Sequence, residues 1–512
     1  MLGKVISYGL TGISGCMIHV EVDMANGLPS YETVGLPDAA VRESKDRVRS
    51  AIVNSSLPYA HGKVTVNLAP ADVKKVGSVY DLPIALGLLI CGEALEQERI
   101  DGYVVLGELA LGGEVRPVKG VLPMALAAKE SGFERIIVPF ENAAEASYVE
   151  GMKVFPVRTL SEAVHHLNGA APIEPHATQP WTPEPLGSNV DFADIKGQQG
   201  AKRAAEIAAA GGHNLLLIGA PGSGKTMIAK ALPSILPPLS FEDALEVTKI
   251  HSVVEGIDSN SGIISRLPYR APHHTASAAS LVGGGSNAMP GEVSLAHMGV
   301  LFLDEFTEFD KRVLETLRQP LENGTISVAR VNAKAEYPAR FMLVAAMNPC
   351  PCGYFGSRSR ACVCTPYQIQ KYLARVSGPM LDRIDLHVEL SEVAYTDLRS
   401  TDSAESSLEV RKRVESARAV QTERYCGEER ISSNAQLDQR KIKAYCELDD
   451  AGSKLLERAM TAYNLTPRAY TRILKVSRTI ADLDDSPSIK AHHMAEAIQY
   501  RSIIGKYWRM HV

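Results

Sequence analysis

The chain has 512 residues, 45% of them hydrophobic and 22% charged, with a formal net charge of −5. That size suits about three domains of the usual ~100–200 residues, and the mild acidic balance excludes a globally basic nucleic-acid binder, so any DNA contact has to be local. No apolar run approaches the ~20 residues of a membrane span, Met1-Leu2-Gly3-Lys4-Val5-Ile6 lacks the apolar stretch of a secretory signal, and only eight cysteines are present, so cytoplasmic residence in a reducing compartment, without membrane partners, is expected. Residues 1–169 come first, and there strand-like segments at 4–7, 17–22 and 63–68 alternate with helical ones at 39–55 and 82–89, which predicts an α/β domain. Residues 170–190 follow with Pro172, Pro175, Pro180, Pro183 and Pro185 among few apolar side chains and read as an extended linker.

A second domain is expected over 191–394. An Ala-rich helix at 201–210 precedes the apolar run Leu215, Leu216, Leu217, Ile218, which reads as a strand feeding Gly219, Ala220, Pro221, Gly222, Ser223, Gly224, Lys225 and Thr226. That is a complete GxxxxGKT phosphate loop. The glycines leave room for backbone N–H groups to wrap phosphates, Lys225 reaches the β- and γ-phosphates, and Thr226 holds Mg²⁺. A helix starting at Lys225 adds its positive end. Nucleoside triphosphate and Mg²⁺ are therefore the expected cofactors. About eighty residues on, Gly299-Val300-Leu301-Phe302-Leu303 predicts a buried strand of a parallel sheet ending in Asp304 and Glu305. Asp304 is placed to hold Mg²⁺ and Glu305 to orient and polarise the attacking water.

Two alternating segments at 325–340, joined by a turn, predict a hairpin that carries Arg330 and Lys334. A third strand, 341–347, ends at Asn348. Beyond it stand Cys350, Cys352, Cys362 and Cys364, two CxC pairs separated by nine residues. They read either as a tetrahedral thiolate site for a structural Zn²⁺ or as buried, redox-idle thiols. His273 and His274 have no acids or cysteines beside them in sequence and read as hydrogen-bonding loop residues. From 395 to 512 the segments 408–425 and 441–462 have helical periodicity with charged faces, as in a helical lid.

In order along the chain, the phosphate loop, the acidic strand, Asn348, Leu381-Asp382-Arg383-Ile384-Asp385 and Thr466-Pro467-Arg468-Ala469-Tyr470 resemble the AAA+ superfamily. Arg270-Ala271-Pro272-His273-His274-Thr275, the Gly283-Gly284-Gly285 loop, Gly291-Glu292-Val293-Ser294-Leu295-Ala296-His297, Leu317-Arg318-Gln319-Pro320-Leu321-Glu322 and Asn348-Pro349-Cys350-Pro351-Cys352-Gly353 narrow the resemblance to the magnesium chelatase-like YifB/ComM family, followed from Met1 to about Tyr507. The resemblance implies an AAA+ core with a parallel sheet. It implies that Asn348 senses the γ-phosphate and that Arg383 is a finger acting on the neighbouring subunit's nucleotide. Arg468 becomes the second sensor, with Arg472 as fallback. It further implies a hexameric ring whose hairpin projects into a pore, where Arg330 and Lys334 meet a DNA backbone, and helicase or branch-migration activity in recombination and natural transformation. The alternatives are a chelatase-like remodelling ATPase acting on a protein or porphyrin-pathway partner, and hairpin charges that are ordinary surface residues.

The N-terminal domain resembles the proteolytic domain of Lon-type proteases through Gly107-Glu108-Leu109, Gly113-Glu114-Val115-Arg116-Pro117-Val118, the helical segment 124–131 and Ile136-Ile137-Val138-Pro139 with Asn142. Asp81 stands where that family's serine is expected, and Leu122 where its lysine is. Neither can serve a serine–lysine pair, so no peptidase activity is expected. Ser78 with Lys119 or Lys75 is the one conceivable relocated dyad.

Overall fold

The computed structural model describes residues 2–59, 62–184, 190–257, 262–285, 288–330, 333–357, 360–392, 405–428 and 431–508. Residues 393–404, and the side chains of Arg330 and Lys334, lie outside the described residues.

In the N-terminal domain, β1 (Leu2–Thr11), β2 (Ser14–Ala25), β3 (Ser30–Val34), β4 (Lys63–Ala69), β5 (Tyr103–Val105), β8 (Arg135–Pro139) and β9 (Lys153–Val157) form one sheet in the order β3-β4-β2-β1-β5-β8-β9. The β1–β2 and β2–β4 pairs are antiparallel and the remaining pairs parallel. The short strands β6 (Glu108–Leu109) and β7 (Val115–Arg116) form a separate ribbon. Helix Asp81–Cys91 buries all 11 of its residues. At ~1.5–3 kcal/mol for each large aliphatic side chain, it is a main stabiliser of the sheet it covers.

Residues 170–184 run extended, as their proline content predicts, but they are pinned to both neighbours. The His176 N–H donates to Val154 O at 2.8 Å and the Thr178 hydroxyl to Ser147 O at 2.7 Å, while Ile173 packs on the first core. Trp181 packs edge-on to Phe241 of the second domain with ring centroids 5.8 Å apart. A few apolar side chains among prolines are enough, because proline has already lost most of its backbone freedom.

The second domain holds a five-stranded sheet of β10 (Leu215–Gly219), β11 (Tyr269–Arg270), β14 (Val300–Leu303), β17 (Met342–Met347) and β18 (Leu386–Leu390), ordered β11-β14-β17-β10-β18 and parallel throughout. β14, β17 and β10 are buried along their whole lengths, as strands of a parallel sheet covered on both faces must be. Outside it lie the ribbon β12 (Gly283–Gly284) with β13 (Met289–Pro290) and the hairpin β15 (Thr325–Arg330) with β16 (Ala333–Pro338). Tyr337 ties hairpin to ribbon by donating to Ala288 O at 2.6 Å.

The described C-terminal residues are helical. Ser407–Arg424 is one helix, capped by Ser406 and Glu409 in a reciprocal box. The periodicity over 441–462 resolves into two helices, Gln439–Tyr445 and Asp450–Ala462, because Asp449 accepts from the Gly452 N–H at 2.6 Å and starts a new helix there. Helices Pro467–Leu483 and Ala491–Trp508 pack against each other and share their core with the five-stranded parallel sheet.

The two α/β domains meet at helix Phe241–Val254. The buried carboxylate of Glu145 accepts from the Leu122 N–H at 3.0 Å and from the Ser252 hydroxyl across the junction, and burial raises its pKa. The Gly120 N–H donates to Ser252 O at 3.0 Å.

Candidate functional site: a phosphate loop with a separate arginine cluster

The phosphate loop leaves the C-terminal end of β10 and enters helix Lys225–Ala231. Gly222 and Gly224 have φ of +77° and +94°, a region that only glycine adopts without strain, and a side chain at either would project into open space. That space is the cradle a polyphosphate requires. Lys225 Nζ lies within the loop, donating to Gly219 O at 2.8 Å, Ala220 O at 2.9 Å and Asn348 Oδ1 at 3.2 Å. Burial lowers its pKa while Asp304 opposes the shift. Thr226 Oγ1 donates to Asp304 Oδ2 at 3.0 Å. One hydroxyl and one carboxylate oxygen side by side fit Mg²⁺, which takes few protein ligands and completes its shell with phosphate oxygens and water.

Strand order explains this convergence. β17 lies between β14 and β10, so Asp304 and Asn348 leave the same edge of the sheet that Gly219 leaves. Glu305 follows with φ +52°, a left-handed conformation disfavoured for a side-chain-bearing residue, and its N–H donates to Asp304 Oδ1 at 2.9 Å. Its carboxylate meets His274, whose Nδ1 stands 3.0 Å from Glu305 Oε2. His273 stacks on His274 with centroids 4.1 Å apart, and Phe309 meets its edge at 6.5 Å. His273 and His274 are hydrogen-bonding loop residues as the sequence predicts, but the sequence does not identify Glu305 as the partner of His274. The only signal was the His-His pair just after a strand, and β11 reaches Glu305 because it neighbours β14.

Arg383 lies at the other end of the sheet. Asn214, the residue before β10, donates from Nδ2 to Arg383 O at 3.0 Å, and the N–H groups of Asp385 and Leu386 donate to Asn214 O. The five steps of β10 from there to Gly219 span about 16 Å at ~3.3 Å per residue, beyond the reach of any side chain. The Arg383 guanidinium is buried, pairs with Glu322 and donates to Pro379 O at 2.6 Å, while its Nε has no hydrogen-bond partner among the described residues. Burial lowers its pKa, Glu322 opposes, and Arg318 and Arg468 add to the lowering.

Arg468 is on helix Pro467–Leu483, 3.6 Å from the same Glu322. Arg383, Arg468, Arg472 and Lys475 line one cavity together with Glu322 and Asp382. Burial, followed by Arg472, brings Lys475 down to about 8. Arg472, the fallback second sensor, is engaged elsewhere: it pairs with buried Asp385 at 2.8 Å. Burial alone would push the Asp385 carboxyl up, yet Arg472 and His213 hold it far below its ordinary range. The group is structural, and Arg468 remains as the exposed arginine of the pair.

The four cysteines come together, with all four Sγ atoms within 4.8 Å of one another. Cys350 is fully buried and its Sγ lies 3.4 Å from that of Cys352 and 3.7 Å from that of Cys362. Burial opposes ionisation of Cys352, but hydrogen bonds from the Tyr354 and Val363 N–H groups lower it to about 6. Four soft ligands at this separation, with N–H groups aimed at sulfur, suit a tetrahedral metal.

In the N-terminal domain, Asp81 is spent on structure. Arg47 donates to its two oxygens at 2.7 and 3.0 Å, and the Leu109 N–H adds a bond at 3.3 Å. Ser78 donates to Glu108, Lys75 to Pro70 O, and Lys119 to Val254 O, so the serine meets a carboxylate and neither lysine approaches it. Leu122 is buried at the start of helix Val121–Glu130.

The description "Magnesium chelatase, subunit ChlI" matches residues 191–398, "Magnesium chelatase, subunit ChlI C-terminal" matches 404–501, and "Subunit ChlI of Mg-chelatase" matches 20–142. The chain is 45% identical over 509 residues to the competence protein ComM of Haemophilus influenzae, covering 98% of each chain. It is 44% identical over 494 residues to the uncharacterized protein YifB of Escherichia coli, covering 96% of this chain and 95% of that one. Lon protease 2 of Bacillus subtilis is 25% identical over 179 residues, or 31% of this chain and 32% of the protease. The magnesium chelatase family is one of AAA+ ATPases, which implies ATP and Mg²⁺, and no helix among the described residues is long and apolar enough to cross a membrane. With family models matching over 191–398 and 404–501 and near-full-length identity of this degree, the chain belongs to the magnesium chelatase-like ComM/YifB family.

Proposed function

We propose that the protein is an ATP-driven DNA motor that works as a hexameric ring and supports branch migration or unwinding in recombination and natural transformation. The observation that carries the ring is the separation of Arg383 from its own phosphate loop by the length of β10. A nucleotide held by Lys225, Thr226 and Asp304 obtains those arginines only from a neighbouring copy, and repeating that head-to-tail contact closes a ring. In this reading Lys225 and the loop amides hold the phosphates, Glu305 orients water, and Arg383 with Arg468 stabilises charge developing on the transferred group. Thr226 and Asp304 would hold Mg²⁺, which would supply neutralisation of the phosphate charge.

DNA is the proposed substrate because the relative from Haemophilus influenzae is a competence protein and because the hairpin and ribbon are packed as one unit beside the catalytic strand. Six copies multiply the two hairpin charges, Arg330 and Lys334, into a basic ring that the acidic chain otherwise lacks. The N-terminal domain supports the hairpin, since a Cβ at Gly12 would stand 3.0 Å from that of Ala335. The cysteine cage is assigned to Zn²⁺.

The test is ATP-dependent unwinding of a forked or three-strand DNA by the purified protein, with Lys225→Ala as control. Unwinding lost in the variant supports the motor. ATP hydrolysis with neither unwinding nor stimulation by DNA refutes it and leaves a chelatase-like remodelling ATPase with another substrate.

A further inference from the structure

The segment bearing the cysteines leaves β17 at Asn348 and reaches helix Pro366–Leu373 without forming a helix or strand among its described residues. On the way it touches the nucleotide site. Gly353 has φ +85°, and a Cβ placed there would stand 2.6 Å from Cδ and 2.8 Å from Cγ of Pro221, and 3.9 Å from the Asn348 side chain. The backbone of the cysteine loop therefore lies directly on the proline of the phosphate loop. Asn348 closes the circuit, because its Oδ1 accepts from Lys225 Nζ.

The other side of the loop rests on the C-terminal helix. Phe355 packs against Tyr507 with ring centroids 6.1 Å apart, and Tyr507 and Lys506 both donate to Glu389 of β18, at 2.7 and 2.6 Å. The cysteine loop is thus wedged between the phosphate loop and the helix that closes the lid. Among its described residues the loop has turn hydrogen bonds, such as Gly353 N–H to Cys350 O, but no strand pairing, and thiols are weak donors and acceptors. A metal joining four thiolates supplies the missing cross-link, because the energy of metal binding is then energy of folding the loop.

We propose that the metal-filled cysteine loop braces the phosphate loop, so that occupancy of the Cys350, Cys352, Cys362 and Cys364 cage sets the affinity for the nucleoside triphosphate. The proposal rests on the assignment of a thiolate-loving divalent cation to that cage. Pro221 rests on Gly353, so loss of the brace loosens the cradle before a ligand enters. Asp304 and Glu305, in the turn after a separate strand, keep their places. The cysteines and Gly353 are positioning residues, and their effect falls on binding more than on the chemical step.

The test uses the full chain and Zn²⁺ as the probe, with metal content measured by elemental analysis and ATP affinity by titration of a fluorescent analogue. About one Zn²⁺ per chain is expected. Stripping it is expected to raise the Kd for nucleotide ~10-fold, to leave kcat at saturating ATP within about twofold, and to be reversed by added Zn²⁺. Gly353→Ala is expected to keep the metal and yet raise Kd, and Cys364→His, which retains a ligand, to stay closer to the parent than Cys364→Ser. Metal-free protein, or zinc-loaded Gly353→Ala, that binds nucleotide like the parent overturns the brace while leaving the metal assignment intact. A chain that carries no metal overturns the assignment and the brace together.

Discussion

Mixing two inactive variants tests the geometry at its most specific point. Lys225→Ala removes the phosphate contact and Arg383→Ala removes the finger, so a ring of either variant alone has no complete site. In a mixed ring, an interface is complete when the Arg383→Ala copy supplies the phosphate loop and the Lys225→Ala copy supplies the arginines. For equal, random mixing about one interface in four qualifies, so ATPase activity is expected to recover to roughly a quarter of the parent's when sites act independently. The size of the contrast follows from the charge involved: an arginine acting on a transferred phosphoryl group is worth ~10³–10⁵ in rate, or ~4–7 kcal/mol. Glu322, which Arg383 leaves behind, is 43% exposed and is solvated, but the Arg383 side chain itself is 3% exposed and donates to Pro379 O, so the fold of the variant has to be controlled for. The assay is steady-state ATP hydrolysis across mixing ratios, with melting temperature as a control. Mixtures no more active than their parents, or Arg383→Ala alone with parental turnover, would refute the placement of the finger in trans.

His274→Ala is expected to lower kcat ~10–100-fold with little change in nucleotide Kd, because His274 meets Glu305 and no residue of the phosphate loop; equal turnover in single-turnover hydrolysis counts against it. Asp81→Ser restores the hydroxyl expected of the Lon-type nucleophile but is expected to yield no casein cleavage and to destabilise the protein by ~3–5 kcal/mol, because it strips a buried partner from Arg47; a denaturant midpoint equal to the parent's would contradict this. Stability is expected to fall as pH drops below 6.5. His213 and His387 are fully buried, and burial lowers both pKa values, so the folded chain stays neutral there while the unfolded chain takes up protons. The slope is at most ~1.4 kcal/mol per pH unit for each. Urea midpoints that do not move between pH 7.5 and 5.5 would show that these rings are protonated in the fold.

The sequence alone determined what depends on short spacing. The GxxxxGKT loop, the apolar strand ending in Asp304 and Glu305, the hairpin turn and the proline-rich segment are each written within about twenty residues, because backbone conformation and local burial are set by near neighbours. Tertiary structure alone decided which distant groups meet. Arg468 and Arg472 differ by one helical turn and look interchangeable in sequence, but Asp385, buried at the entry edge of β18, takes Arg472 and leaves Arg468 beside Glu322. His274 becomes a partner of Glu305 because β11 lies beside β14, and Gly353 a support for Pro221 because β10 is inserted beside β17, so that segments distant in sequence arrive at the same edge of one sheet. Arg383 is likewise excluded from its own nucleotide by the direction in which β18 runs beside β10, and parallel pairing is a property of the assembled sheet that no single strand encodes.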